Sequence, residues 1–127
     1  MKVPENLKYT KEHEFVLAEG NTAVIGVTDY AQGELGDIIF IDFTSSAGDV
    51  VKAGDTIGSI EAVKTVSEIF SPVSGKITEV NSGINDKASV VNEDPYGEGW
   101  LFKIELSDSS EIDRLLSAKS YSELLGA

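Results

Sequence analysis

The chain of 127 residues contains one histidine and no cysteine, which narrows the chemistry its own side chains can perform. Without a thiol there is no disulfide, no thiolate nucleophile and no thiolate metal site. A single imidazole also falls short of most zinc sites. His13 stands between Glu12 and Glu14, so a serine–histidine–acid arrangement is conceivable on residue types alone. An acidic hydrolase using His13 is therefore the catalytic alternative, although no nucleophile-elbow motif accompanies it. The acidic residues lack the alternating spacing of a calcium loop. Gly97-Glu98-Gly99 leads into a strand instead of a helix, so it reads as a turn and not a phosphate cradle. What remains is an amine. Lys64 is one of nine lysines, and a lysine's flexible stem suits acylation, which removes its charge. Any sulfur redox chemistry must then come from an attached group. No catalytic and no metal-ligating residue is expected.

The element that must present Lys64 lies between Gly58 and Gly75. From Ile57 to Phe70 the chain is rich in β-branched residues (Ile57, Ile60, Val63, Thr65, Val66 and Ile69) and holds neither proline nor asparagine. That composition favours strand, although Ile60, Val63 and Val66 are spaced so that periodicity alone leaves a helix open. Strands usually run about five or six residues, so the run is expected to fold back near Val63-Lys64, with Lys64 at the tip of a β-hairpin. The tip lacks the Asn-Gly or Gly-X chemistry of two-residue loops. Ordinary solvated charge is the plain reading of a lysine at such a tip, and a turn built without turn residues suggests the other, that something besides turn stability selects it.

The remaining elements form a scaffold of short strands. Phe15–Ala18 and Thr22–Ile25 flank Glu19-Gly20-Asn21 and predict a hairpin. Asp29 with Gln32 suggests a capping box, opening a short helix over about 29–35 that Gly36 can terminate. Residues 37–43 are strand-like and almost continuously apolar. Gly36-Asp37, Gly48-Asp49 and Gly54-Asp55 each suit a turn, and Ser71-Pro72 and Ser82-Gly83 extend that rhythm. Trp100, Phe102, Ile104 and Leu106 alternate onto one strand face. In the tail, Asp108 with Glu111 and Ser120 with Glu123 suggest capping boxes for two short helices. Regular short strands with glycine-rich turns indicate a small sandwich or barrel. One domain over 1–127 is expected, with its core over about 15–106 and a helical tail over about 108–126.

Charge limits the partners. With 22 acidic against 10 basic residues the net charge is −12, which repels phosphate backbones and anionic lipid. Neither nucleic acid nor a membrane surface is an expected partner, while positively charged protein surfaces are favoured. No segment approaches the roughly 20 apolar residues of a membrane span. Met1–Asn6 has neither an apolar signal core nor the character of a transit peptide. A cytoplasmic monomer is expected.

Glu61 three residues before Lys64, and Ser71-Pro72-Val73-Ser74-Gly75 after the second strand, resemble the lipoyl-attachment hairpin of the glycine cleavage system H proteins. The resemblance extends to Leu7-Lys8-Tyr9, His13-Glu14-Phe15, Ile25–Gln32, Leu35-Gly36-Asp37 and Asn92–Trp100, in order and spacing, over nearly the full chain. It implies a mainly β, biotinyl/lipoyl-type flattened barrel-sandwich bearing a lysine-tipped hairpin. It implies lipoate attached covalently to Lys64, with Glu61 and Gly75 completing the unit read by a lipoate-attaching enzyme. It also implies a cleft in which Glu14 helps hold the amino group of the loaded arm. The implied partners are a pyridoxal-phosphate-dependent glycine decarboxylase, a tetrahydrofolate-dependent aminomethyltransferase and a dihydrolipoyl dehydrogenase. The chain would carry an aminomethyl group from the first to the second and then present the dihydrolipoyl group to the third. Phe15 stands where the family usually has tryptophan, and Ala62 where serine commonly precedes Val-Lys. Biotin carriers have Met-Lys-Met where this chain has Val63-Lys64-Thr65, and the lipoyl domains of 2-oxo acid dehydrogenases typically read Asp-Lys-Ala. An H-like protein relaying lipoate to other enzymes, and a plain binding module whose Lys64 is never acylated, are the remaining alternatives.

Overall fold

The structure is a computed structural model and describes residues 2–126. Nine strands fall into two antiparallel sheets. The larger has the order β1-β2-β3-β9-β8-β5, formed by β1 (Lys8–Tyr9), β2 (Glu14–Glu19), β3 (Thr22–Val27), β5 (Val50–Val51), β8 (Gly75–Val80) and β9 (Phe102–Leu106). The smaller has the order β4-β6-β7, formed by β4 (Ile38–Phe43), β6 (Thr56–Ala62) and β7 (Val66–Phe70). Their apolar faces share one core: Ile25, Ile77, Phe102 and Ile104 from the first sheet meet Ile41, Ile57, Ile60 and Ile69 from the second. The sheets are not closed on each other, which makes a flattened sandwich of the type the resemblance implied. Among the described residues no helix is long and apolar enough to cross a membrane.

The β2–β3 hairpin forms as expected, with Gly20 at φ 62° in its turn. α1 (Asp29–Leu35) also lies where the sequence placed it, but its cap is one residue earlier than expected. Thr28 accepts the bond from the Ala31 N–H. The Asp29 carboxylate is taken up elsewhere, by Gln32 Nε2 and the Lys2 N–H. Gly36, at φ 78°, ends the helix and donates its N–H to Gln32 O. A left-handed residue here is a glycine's task.

Other differences have similar causes. Residues Ser82–Lys87 form a 3₁₀ helix, and α2 (Val90–Glu93) follows it where only turns were expected. Trp100 lies outside β9, because Leu101 is itself fully buried and breaks the alternation. In the tail, Glu111 does not close a capping box over the 3₁₀ helix Ser109–Arg114. Its carboxylate accepts bonds from Ser74 N and Ser74 Oγ instead. α3 (Ala118–Leu124) is capped by Ser117, not within Ser120–Glu123. The tail also reaches the start of the chain: Leu7, Tyr9, Phe15, Ala118 and Tyr121 bury one another in a second cluster. Tyr9 and Tyr121 stack within it, with centroids 4.6 Å apart.

Candidate carrier site at the Lys64 hairpin

β6 and β7 pair from Thr56↔Phe70 to Glu61↔Val66, leaving Ala62–Thr65 to make the bend. Lys64 is exposed at that bend, and it takes part in neither of the ion pairs among the described residues. His13 is the only non-glycine residue with positive φ among them, so the bend has none of the left-handed residues that primed hairpin turns use. Its support comes from outside. Ala62 donates its N–H to Thr65 O across the turn, and Val63 donates its N–H to Asp37 O between α1 and β4. The turn closes through backbone alone, so Ala62 suffices where the resemblance would have serine.

Asp37 is in turn held by a residue far along the chain. Asn92 on α2 donates through Nδ2 to Gly36 O and Gln32 Oε1, and accepts the Ile38 N–H on Oδ1. One side-chain amide thus fastens both sides of the peptide that anchors the Lys64 bend. Four residues on, the Tyr96 hydroxyl accepts the Asp29 N–H and donates to Lys2 O, fixing the other end of α1. The Asn92–Tyr96 segment is the clamp on α1, a role its local sequence does not reveal. The Lys64 stem lies against Gly36: a Cβ there would stand 3.3 Å from Lys64 Cε.

α1 forms one wall of a cleft of about 270 Å³, whose opposite wall includes Ile60, Ser67 and Glu68 of the hairpin. Ala31, Leu35 and Val27 supply apolar lining, and Glu12, Glu14 and Glu34 supply carboxylates. Such a mixture suits a hydrocarbon arm ending in a cation. Glu14 is buried, only 2 % exposed. Its Oε1 accepts from Thr10 Oγ1 at 2.7 Å and its Oε2 from the Phe70 N–H at 3.1 Å. Burial pushes its pKa up to about 7, with Glu12 adding to the rise, and those two hydrogen bonds work against it.

His13 adopts φ 68° in the turn before β2, and its Nδ1 is 2.8 Å from the Tyr121 hydroxyl. That hydroxyl also meets Thr28 Oγ1, and burial lowers the imidazole's pKa. The histidine thus links α3 to the cap of α1, and among the described residues no serine hydroxyl bonds to it. Glu61 is exposed on the outer face of β6. Gly75 begins β8 in the other sheet, where a Cβ would overlap the Glu105 carbonyl and stand 2.9 Å from Ile104 Cγ2. Packing alone therefore requires glycine at this position. Phe15, in place of tryptophan, lies across Gly26 and meets Tyr96 edge to face.

The fold is a flattened sandwich with Lys64 exposed at a hairpin bend beside an apolar, carboxylate-lined cleft, the architecture of a carrier domain. The sequence model of the family described as Glycine cleavage H-protein matches residues 7–127. The glycine cleavage system H protein of Staphylococcus saprophyticus is 54 % identical over 126 residues, covering 99 % of each chain. That of Staphylococcus haemolyticus is 55 % identical over the same length and coverage. The crystal structure of a glycine cleavage system H protein from Mycobacterium marinum superposes with a TM-score of 0.88 at 34 % identity, over 98 % of this chain and 99 % of that one. The chain belongs to the glycine cleavage H-protein family, the lipoate-carrying component of glycine cleavage.

Proposed function

We propose that Lys64 is the lipoylated residue, and that the chain works as one non-catalytic domain shuttling an aminomethyl group from glycine decarboxylase to aminomethyltransferase. The observation that carries this reading is the exposed Lys64 amine on a bend held by Asp37 O, next to the α1 cleft. Lipoate, once attached, supplies the redox-active disulfide that this cysteine-free chain lacks. The hairpin's task is display: a seated bend offers one amine out of nine to the lipoate-attaching enzyme. Glu61, three residues away on the exposed face, serves that recognition. Gly75 serves it indirectly, because its close pass against Glu105 fixes the path of the chain leaving β7.

Glu14 and the cleft around it receive the end of the arm. A carboxylate accepts a charge-assisted hydrogen bond from an ammonium, and Glu12 and Glu34 add negative charge around it. Thr10 positions the Glu14 carboxylate, since its hydroxyl accepts the Glu14 N–H and donates to Oε1. The cleft's walls restrict access of water to a loaded amine. Reoxidation falls to dihydrolipoyl dehydrogenase, and the chain acts as a cytoplasmic monomer.

Reconstitution with purified decarboxylase, aminomethyltransferase, dehydrogenase and tetrahydrofolate tests this function. Glycine-dependent NAD reduction is expected only when the lipoylated chain is added. A protein dedicated to relaying lipoate would support none, and that result would replace the glycine-cleavage role with the relay.

A further inference from the structure

The outer face of the small sheet carries apolar side chains that the fold leaves uncovered. Ile39 is 57 % exposed, Phe40 42 %, Val63 72 % and Val66 63 %. They form one patch, because Phe40 pairs with Glu61 and Glu61 with Val66 in a single cross-strand row. Val63 sits at the bend just beyond that row. Ile39 lies in the irregularity of β4 between Ile38 and Phe40, which turns two successive side chains outward. The next outer row is Asp42, Ser59 and Glu68, so a polar, acidic margin follows the apolar one. Lys64 projects at the edge of this patch. Scattered exposed apolar residues need no explanation, whereas four of them around the exposed Lys64 amine do.

We propose that this face, Ile39, Phe40, Val63 and Val66 with Glu61 among them, is the docking surface for the lipoate-attaching enzyme, which meets it with an apolar floor and a basic rim. The inference rests on Lys64 being the lipoylated residue. Geometry favours this occupant over the other partners. The attaching enzyme uses ATP to make a lipoyl adenylate with release of pyrophosphate. Lys64 Nζ then attacks the adenylate's acyl carbon, losing a proton as the C–O bond to AMP breaks. The enzyme's active site must therefore close over the residues flanking the bend. An enzyme acting on the far end of the finished arm works a lipoyl chain's length away and has no need to cover them. Charge sets the rim, since the side chains facing outward beside the patch are Glu61, Asp42 and Glu68.

The test follows acylation of the unmodified full chain by an ATP-dependent lipoate ligase with free lipoate. Wild type is compared with Phe40→Ser/Val66→Thr and with a control, Val50→Thr, which is 79 % exposed on the other sheet. The double variant is expected to lose about tenfold or more in kcat/KM, chiefly through KM, as for loss of an apolar anchor at an interface. The control should stay within about twofold, and raised salt should weaken the wild-type reaction. A modified wild type with an equally good double variant would overturn this inference alone. So would an equally good ligase reaction accompanied by failure of the variant with the decarboxylase, or by loss of a wild-type dimer. A wild type left unmodified at Lys64 would overturn the carrier reading and this inference with it.

Discussion

A chain carrying Lys64→Arg is expected to support no glycine-dependent NAD reduction in the reconstituted system while melting as the wild type does. Both halves follow from the bend. Lys64 is exposed and takes part in no ion pair among the described residues, and the turn is held through the backbone of Ala62, Val63, Thr65 and Asp37. Arginine keeps the charge and most of the stem, so stability should change by no more than about 0.5 kcal/mol. What it loses is an amine able to form the amide, since the guanidinium stays protonated under all relevant conditions. Unfolding followed by circular dichroism accompanies the activity assay. Residual turnover above the blank would mean that another lysine carries the arm.

The second large effect concerns Glu14. Its pKa of about 7 in the folded protein, against 4.5 for the free side chain, corresponds to about 3 kcal/mol of unfavourable ionisation. Between those two values the unfolded chain releases a proton that the folded chain retains, so Glu14 lowers stability as pH rises through that window. Below the window its contribution vanishes, and above about 7 the cost is fully present. Glu14→Gln removes the titration. Urea unfolding of both proteins at about pH 4 and about pH 8 should therefore show the variant gaining about 3 kcal/mol relative to wild type on going to the higher pH. The difference is the readout because His13, lowered by burial, adds an opposing slope that both proteins share. An unchanged difference would show that Glu14 ionises at no cost and that burial does not govern it. A cation in the cleft would favour the carboxylate and draw its pKa back down, so a loaded arm and a rising pH reinforce each other.

The hairpin was legible because β-branched residues crowd Ile57–Phe70 and nothing in that run can end a strand cheaply. What holds its bend was not. The Asp37 carbonyl and the Asn92 amide come from elements far apart in sequence, and no local pattern marks an asparagine as a clamp. The cap of α1 went astray by one residue because Thr28 and Asp29 are both good caps, and tertiary bonds from Lys2 and Gln32 decide between them. The tail's capping boxes failed for a similar reason, since Glu111 finds Ser74 across the sandwich. The burial of Glu14 was not legible either. Its burial is made tolerable by Thr10 and Phe70, which only the folded chain brings to it. Glycine at position 75 has a plain packing cause, invisible until β8 and β9 lie side by side.

Intact mass with peptide-level site mapping, on the chain produced in a lipoate-replete host, tests the central claim most directly. One lipoyl group on Lys64, and none on the other eight lysines, is the predicted result. A chain that stays unmodified beside a competent attaching enzyme, or one that carries its lipoyl group elsewhere, would contradict it.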